Sequence, residues 1–327
     1  MSAAVEAGFA HFRRRAAWRP LEYAFWIAVV ASLLVFPRRL SFINEVAILG
    51  LFVLSLDLIL GFAGIVSLGH VAFFGVGAYA AALFGLAVFA DPLVGVLVGG
   101  ATAALVGFAS SFLILRGSDL TRLMITLGVA SLLYELANRL SWTGGANGLN
   151  LAPDPVFGIW SFDLFGRTAA IASLAVLFLL FLLARRIVHS PFGLSLRAVT
   201  ENRLRAGAIG IPTHRRLVAI YTVSAAYAGI AGALLAETTQ FVSLDLLAFH
   251  RSADALVVLV LGGAGTLYGG LVGAIVFRVL QDVVSDLTPQ YWEFWVGVVL
   301  VLVVLAGRER LARIPANLYR RLGLEGA

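Results

Sequence analysis

Ser67 and His70, three residues apart in a glycine-rich apolar stretch, pair a hydroxyl with an imidazole that could take its proton. No acid stands at a set distance to orient that imidazole, so a hydrolytic reading is weak. The five histidines (His11, His70, His189, His214, His250) form no pair at metal-ligand spacing. The segment GGAGTLYGG, residues 262–270, lacks the Lys-Ser/Thr ending of a phosphate loop. Lysine is absent, which excludes a Walker A loop and Schiff-base chemistry; cysteine is absent too, which excludes disulfides and thiolate metal sites. The expectation is a chain with no catalytic residue and no metal site.

Ionisable groups inside apolar stretches say more, because a charge in lipid is costly and turns toward a protein interior. His70 either holds an irregular segment in place or touches a solute; the structural role is favoured. Asp57 is expected to pair with a freed backbone amide or an arginine, in preference to coupling a cation. Arg278 and Asp282 stand one helical turn apart and read as a structural pair on one face. Glu45 and Glu135 lie toward span ends, where a long side chain reaches the interface.

The elements that must position these groups follow from composition. Of 327 residues, 61% are hydrophobic and 13% charged, and the mean hydropathy is +0.96. That is too little charge to cover a soluble core of this size, so the fold is all-α and polytopic, with about eight to ten membrane segments. Apolar spans are expected near 21–36, 42–61, 93–115, 120–140, 169–184, 217–236, 271–287 and 291–306, with glycine-broken stretches at 61–84 and 253–263. The net charge is +6, and all 24 basic residues are arginine. Because the arginines sit at span ends, they read as topology determinants, and no nucleic-acid partner is expected.

The one long polar stretch, residues 185–216, carries seven arginines against the single acid Glu201 and should face the cytoplasm. Its middle reads as a short helix outside the bilayer, led in by Pro191 and Gly193 and stopped by Gly210-Ile211-Pro212. Leu196, Val199, Ala206 and Ile209 share one face, with Arg197, Glu201, Arg205 and Ala208 away from it. That stripe is expected to need lipid headgroups or a partner protein. With both termini, the 116–119 connection and this loop inside, eighteen arginines lie inside or at the inner edge, five lie outside and Arg278 is within a span, provided the 262–270 region turns back as a hairpin. Arg38-Arg39, on the outer side, runs against the rule. The division is a cytoplasmic arm (1–20), a first transmembrane half (21–184), the loop (185–216), a second half (217–307) and a cytoplasmic tail (308–327).

Gly61-Phe62-Ala63-Gly64 and Gly262-Gly263-Ala264-Gly265 share the pattern Gly-x-Ala-Gly on opposite sides of the loop, which suggests two halves related by a weak repeat. Broken spans at corresponding places point to a transport pathway near the midplane. Asp57, Gly61, Gly64, Ser67, Gly69, His70, Gly262, Gly263 and Gly265 are its candidate residues. The alternative is that these glycines allow close helix packing.

Three blocks, LILGFAGIVSLGHVAFFGVGAYAAAL (58–83), SPFGLSLRAVTENRLRAGAIGI (190–211) and LVVLVLGGAGTLYGGLVGA (256–274), together with TGGANGL (143–149), resemble the LivM-type permeases of branched-chain amino acid ABC importers. The resemblance implies that residues 197–211 form a coupling helix docking on cytoplasmic ATPases, with Arg197, Glu201, Asn202, Leu204, Ala206, Gly210 and Ile211 as its contacts. It further implies a second related permease in a heterodimer, two ATPase subunits carrying ATP-Mg, an extracytoplasmic binding protein, and a bacterial-type inner membrane. No cofactor is expected on this chain itself. The family often has asparagine in place of Asp57 and glutamine in place of Ile65, and an acid or serine at Ala146-Asn147. The resemblance implies a branched-chain amino acid or a related small polar solute, the family also serving amides, urea and small organic acids. A self-contained secondary transporter is the alternative, supported by the broken spans and Asp57.

Overall fold

The computed structural model describes residues 18, 20–88, 91–151, 155–156, 160–161, 167–287, 291, 294–298 and 301. The arginines of the N-terminal arm and C-terminal tail, and most of the final span expected at 291–306, lie outside the described residues. The described chain is predominantly helical: α1 (Pro20–Val35), α2 (Leu40–Leu60), α3 (Val71–Ala87), α4 (Pro92–Ile114), α5 (Asp119–Arg139), α6 (Arg167–Val188), α7 (Pro191–Glu201), α8 (Arg203–Ala208), α9 (Thr213–Thr239), α10 (Phe249–Gly262) and α11 (Tyr268–Leu287). Five of these, α2, α4, α5, α6 and α9, are long and apolar enough to cross a membrane, and α1 and α3 are shorter apolar helices. A helix of about 20 residues at ~1.5 Å each matches the roughly 30 Å of hydrocarbon.

Helix starts follow local chemistry. Asp91 caps α4, its carboxylate accepting from the Leu93 amide at 2.9 Å, with Pro92 at the first helical position. Ser118 caps α5 and Ser190 caps α7, the latter again ahead of a proline. Beyond the spans, the bundle end away from the 185–216 loop carries two two-stranded ribbons, β1 (Leu149–Asn150) with β4 (Phe241–Val242) and β2 (Pro155–Val156) with β3 (Trp160–Ser161).

α2 and α9 form the centre. In the most apolar window of each, 72% of residues are buried, against 17% for the peripheral α5. α9 lies against α4, α3 and α2, while α2 also packs on α6 and α11. The boundary at 216/217 is thus a division of sequence, since the helix that follows it packs among helices that precede it. Close approach needs small residues: a β-carbon on Gly77 would strike the Gly229 backbone, and one on Gly232 the Phe74 carbonyl. Apolar side chains that stay exposed, such as Leu120, Met124, Leu132 and Leu136 of α5, suit a lipid-facing surface.

Glu22 at the start of α1 bonds Arg185 near the end of α6 at 2.6 Å, so both lie at the loop end of the bundle. α10 and α11 pack on each other as a hairpin about residues 263–267. Arg39 bonds Asp282 near the end of α11 at 2.7 Å, which gives that basic residue a partner. Here the sequence reading needs correction. Arg278 is not paired with Asp282: it bonds Glu45 of α2 and, at 2.5 Å, Gln281. Arg278 reaches across to α2 and Asp282 to Arg39 just ahead of it, where an opposite charge on a neighbouring element displaces the local partner one turn away. Glu45 accordingly ends in an ion pair with a neighbouring helix.

Candidate functional site

Three features line up along α2: a cleft beside its first half, a closed joint at its last turn, and the polar loop against that joint. The joint comes from the two glycine clusters. At Gly64 the backbone enters the left-handed region (φ 64°), and its amide bonds the Leu60 carbonyl at 3.2 Å while that of Ile65 bonds Ile59 at 2.8 Å. Gly265, the fourth position of the second Gly-x-Ala-Gly, is also left-handed at φ 80°. The two turns meet. A β-carbon on Gly61 would collide with the Gly265 amide and the Asp57 carboxyl, and one on Gly262 with the Gly269 carbonyl.

Asp57 fastens the two turns. One carboxyl oxygen accepts from the Gly265 amide at 2.6 Å and the other from the Leu267 amide at 3.0 Å, with the residue wholly buried. This is the freed-amide pairing expected of it. Leu267 itself sits at φ 58° inside a tight turn, the Tyr268 amide reaching the Thr266 carbonyl at 2.7 Å. A side chain held in that region is strained, and the two Asp57 bonds help hold it.

His70 lies at the level of Ser55, with Nε2 2.9 Å from the Ser55 hydroxyl and 3.3 Å from that of Ser224. Its ring stacks near Phe52 and meets Phe73 edge-on. Next to it, the Val71 amide donates to Ser252 Oγ at 3.0 Å, and Gly69 abuts the Thr126 carbonyl of α5. Ser67 and Gly263 are buried. His70 therefore ties the irregular segment between α2 and α3 to α2 and α9, and the Val71 amide ties it to α10.

The cleft, about 740 Å³, opens among α2, α3, the end of α9, and the α10–α11 hairpin. Its wall is charged toward the end away from the loop: Glu45 with Arg278, then Asp245 bonded to Arg251 at 2.6 Å and to His250 at 3.3 Å, with Asp254 nearby. Ile48, Leu49, Phe52, Phe74, Val257 and Phe277 form its apolar part. Phe52 precedes Asp57 by five residues, so the cleft stops above the joint at roughly 7 Å along the helix. None of the nine candidate pathway residues lines this cleft. The sequence reading passed over its charged wall, although four ionisable residues within 245–254, in a chain with so few, were a usable signal.

On the loop, Asn202 divides the expected single helix in two. Its backbone is extended and its side chain caps α8, accepting from the Arg205 amide at 2.9 Å. Gly210, at φ 86°, ends α8, and the Ile211 amide closes back on Ala206 at 3.0 Å. The apolar stripe is corrected: Leu196, Val199 and Ala206 are buried within this chain and need no outside cover, whereas Ile209 is 74% exposed. Leu204 is 87% exposed, and Arg197, Glu201 and Asn202 are also exposed. α7 touches the joint directly. Thr200 donates to the Phe62 carbonyl at 2.9 Å, and the Arg197 guanidinium stands 5.6 Å from the Phe62 ring centre.

The model of the family described as branched-chain amino acid transport system, permease component, matches residues 38–304. The chain is 30% identical to the high-affinity branched-chain amino acid transport system permease protein LivM of Escherichia coli (strain K12), over 77% of this chain and 64% of that protein. It is 29% identical to LivH of Salmonella typhimurium over 36% of this chain and 39% of the relative. To the autoinducer 2 import system permease LsrC of Enterobacter sp. (strain 638) it is 30% identical, over 65% and 62%. No solved structure matches. The chain thus spans somewhat less than two thirds of the length of its LivM relatives. A match over nearly the whole helical bundle, taking in both glycine turns and the polar loop, places this chain in the family of branched-chain amino acid transport system permease components.

Proposed function

We propose that the chain is the transmembrane permease subunit of an ATP-driven importer that moves branched-chain amino acids or a related small polar solute inward. The observation that carries this reading is the 185–216 loop. Its inner face is seated in the bundle through Leu196, Val199 and Ala206, while Leu204 and Ile209 stand exposed among arginines. Exposed leucine and isoleucine on a polar surface suit a protein partner, here a cytoplasmic ATPase subunit holding ATP-Mg. Arg197, Glu201, Asn202 and Gly210 complete that contact or shape it. The partners are two such ATPases, a second related permease and an extracytoplasmic binding protein, in a bacterial-type inner membrane with both termini cytoplasmic.

The cleft suits the solute in two respects. Charged pairs at its outer part can exchange bonds with an ammonium and a carboxylate, and its apolar part can take an aliphatic side chain. In this reading the binding protein delivers solute at the cleft. ATPase closure then moves α7 and α8, and with them the joint that closes the cleft below. The chain supplies the path and the coupling surface, and the hydrolytic chemistry belongs to the ATPases.

The test is to reconstitute the chain in vesicles, with and without its partner subunits. Uptake that requires ATP and the binding protein is expected. Sustained accumulation by the chain alone under an ion gradient would instead establish the secondary-transporter alternative.

A further inference from the structure

We infer that Thr200 and Asp57 are positioning residues that together carry the motion of the loop into the cleft, Thr200 through a releasable bond and Asp57 through a fixed one. The inference rests on the reading of the 185–216 loop as the place an ATPase grips. It goes further by naming which atoms make the connection.

The Thr200 hydroxyl has one proton and two carbonyls within reach, Phe62 at 2.9 Å and Leu196 of its own helix at 3.0 Å. It can therefore drop its bond to the joint without being left unpaired, because the helix offers a substitute acceptor. Its methyl group fills the same contact: a β-carbon on Gly64 would come within 2.9 Å of Thr200 Cγ2. Asp57 has no such freedom. Both of its oxygens are engaged by amides of the 265–267 turn, at a buried site where an orphaned amide is costly. The end of α2 and the head of the α10–α11 hairpin are thus bound as one body. The loop meets that body at Phe62.

A displacement of α7 that keeps the Thr200 bond would carry the joint with it. Phe52 lies five residues before Asp57 on α2. Val257 lies five residues before Gly262 on α10, and both of these side chains line the cleft. Moving the joint therefore moves the lower wall of the cleft from both sides at once. No other described hydrogen bond between side chain and backbone joins α7 to the 61–65 turn.

The experiment uses the full complex in vesicles with ATP and loaded binding protein, and reads solute moved per ATP hydrolysed alongside ATPase content. Thr200→Val keeps the shape and removes the donor; Thr200→Ser keeps the donor. With Thr200→Val the complex is expected to hold its ATPases while solute per ATP falls about tenfold, the scale of one hydrogen bond's net worth. Thr200→Ser is expected to stay within about twofold, since it retains that bond. Asp57→Asn, which can accept from only one of the two amides, should also lower the ratio with ATPase content retained. An unchanged ratio in Thr200→Val would overturn the inference. So would loss of assembled complex with normal coupling in what remains, because Thr200 would then be a packing residue. If the unsubstituted complex fails to couple ATP to uptake, the importer reading itself falls, a separate outcome visible before any variant is made.

Discussion

The two ends of α2 are both fastened to the α10–α11 hairpin, and the fastenings differ in kind. At the far end the ties are ion pairs, Arg39 with Asp282 and Glu45 with Arg278, each with both side chains partly open to solvent. At the loop end the tie is Asp57, wholly buried and bonded to two backbone amides. Exposed pairs contribute about 0–1 kcal/mol each and exchange readily with water or with a charged solute. Bonds from a carboxylate to buried amides are worth roughly 1.5–3 kcal/mol each, and breaking them leaves amides without partners. The difference teaches where motion is cheap. It predicts that the hairpin parts from α2 more easily beside the charged wall of the cleft than at the joint below.

The sharpest way to break this comparison is at Asp57. Asp57→Ala should destabilise the chain by about 3 kcal/mol or more, by orphaning two amides beside a strained turn. Thermal unfolding in detergent should show a large fall in Tm, with uptake lost. A Tm close to that of the unsubstituted chain would mean that the joint is not the fixed end.

Next is Gly64→Leu, which forces a side chain into a left-handed position at about 1–2 kcal/mol and drives it into Thr200. Uptake is expected to fall about tenfold while the permease still assembles. Normal transport would show that contact between loop and joint is incidental.

At the far end, Arg278→Gln should lower stability by about 1 kcal/mol or less. Because the pair lines the cleft, its effect on solute uptake should exceed its effect on Tm. Exchanging the charges, Glu45→Arg with Arg278→Glu, should restore Tm and leave uptake low; recovery of both would make the pair purely structural. The smallest effect belongs to Arg39→Ala. A change of a few tenths of a kcal/mol, vanishing in high salt, is expected for so exposed a pair. An effect on Tm as large as that of Asp57→Ala would erase the contrast between the two ends.

Much of this was legible in the chain itself. The ends of α2, α4, α5 and α6 fall within a few residues of where hydropathy placed them, because each is set by a run of apolar residues, with a side-chain cap at the start of α4 and α5. His70 and Asp57 took the structural partners their types called for. The shared Gly-x-Ala-Gly pattern has one point of common geometry, the fourth glycine left-handed in both turns, while Gly263 takes a positive φ that Phe62 does not. Besides the partners of Arg278 and Glu45, three matters were misread or missed. Asn202 is an N-cap that splits the loop helix, and its residue type was the available signal. The stripe of Leu196, Val199 and Ala206 faces its own bundle, and helical spacing cannot say whose surface covers an apolar face. The cleft draws its wall from residues between 45 and 297, so no single window could contain it.

The sequence by itself determined the class of the molecule: spans long enough for lipid, arginines at their ends, and glycine at the places where spans break. Those properties depend on neighbours a few residues away, since bilayer thickness and backbone sterics act locally. Only the tertiary structure decided the pairings. Asp57 meets amides 208 and 210 residues further on, and Arg278 turns to Glu45 instead of the acid one turn along its own helix. Such choices are made when helices pack, because a buried polar group is satisfied by whichever partner the neighbouring element brings within reach.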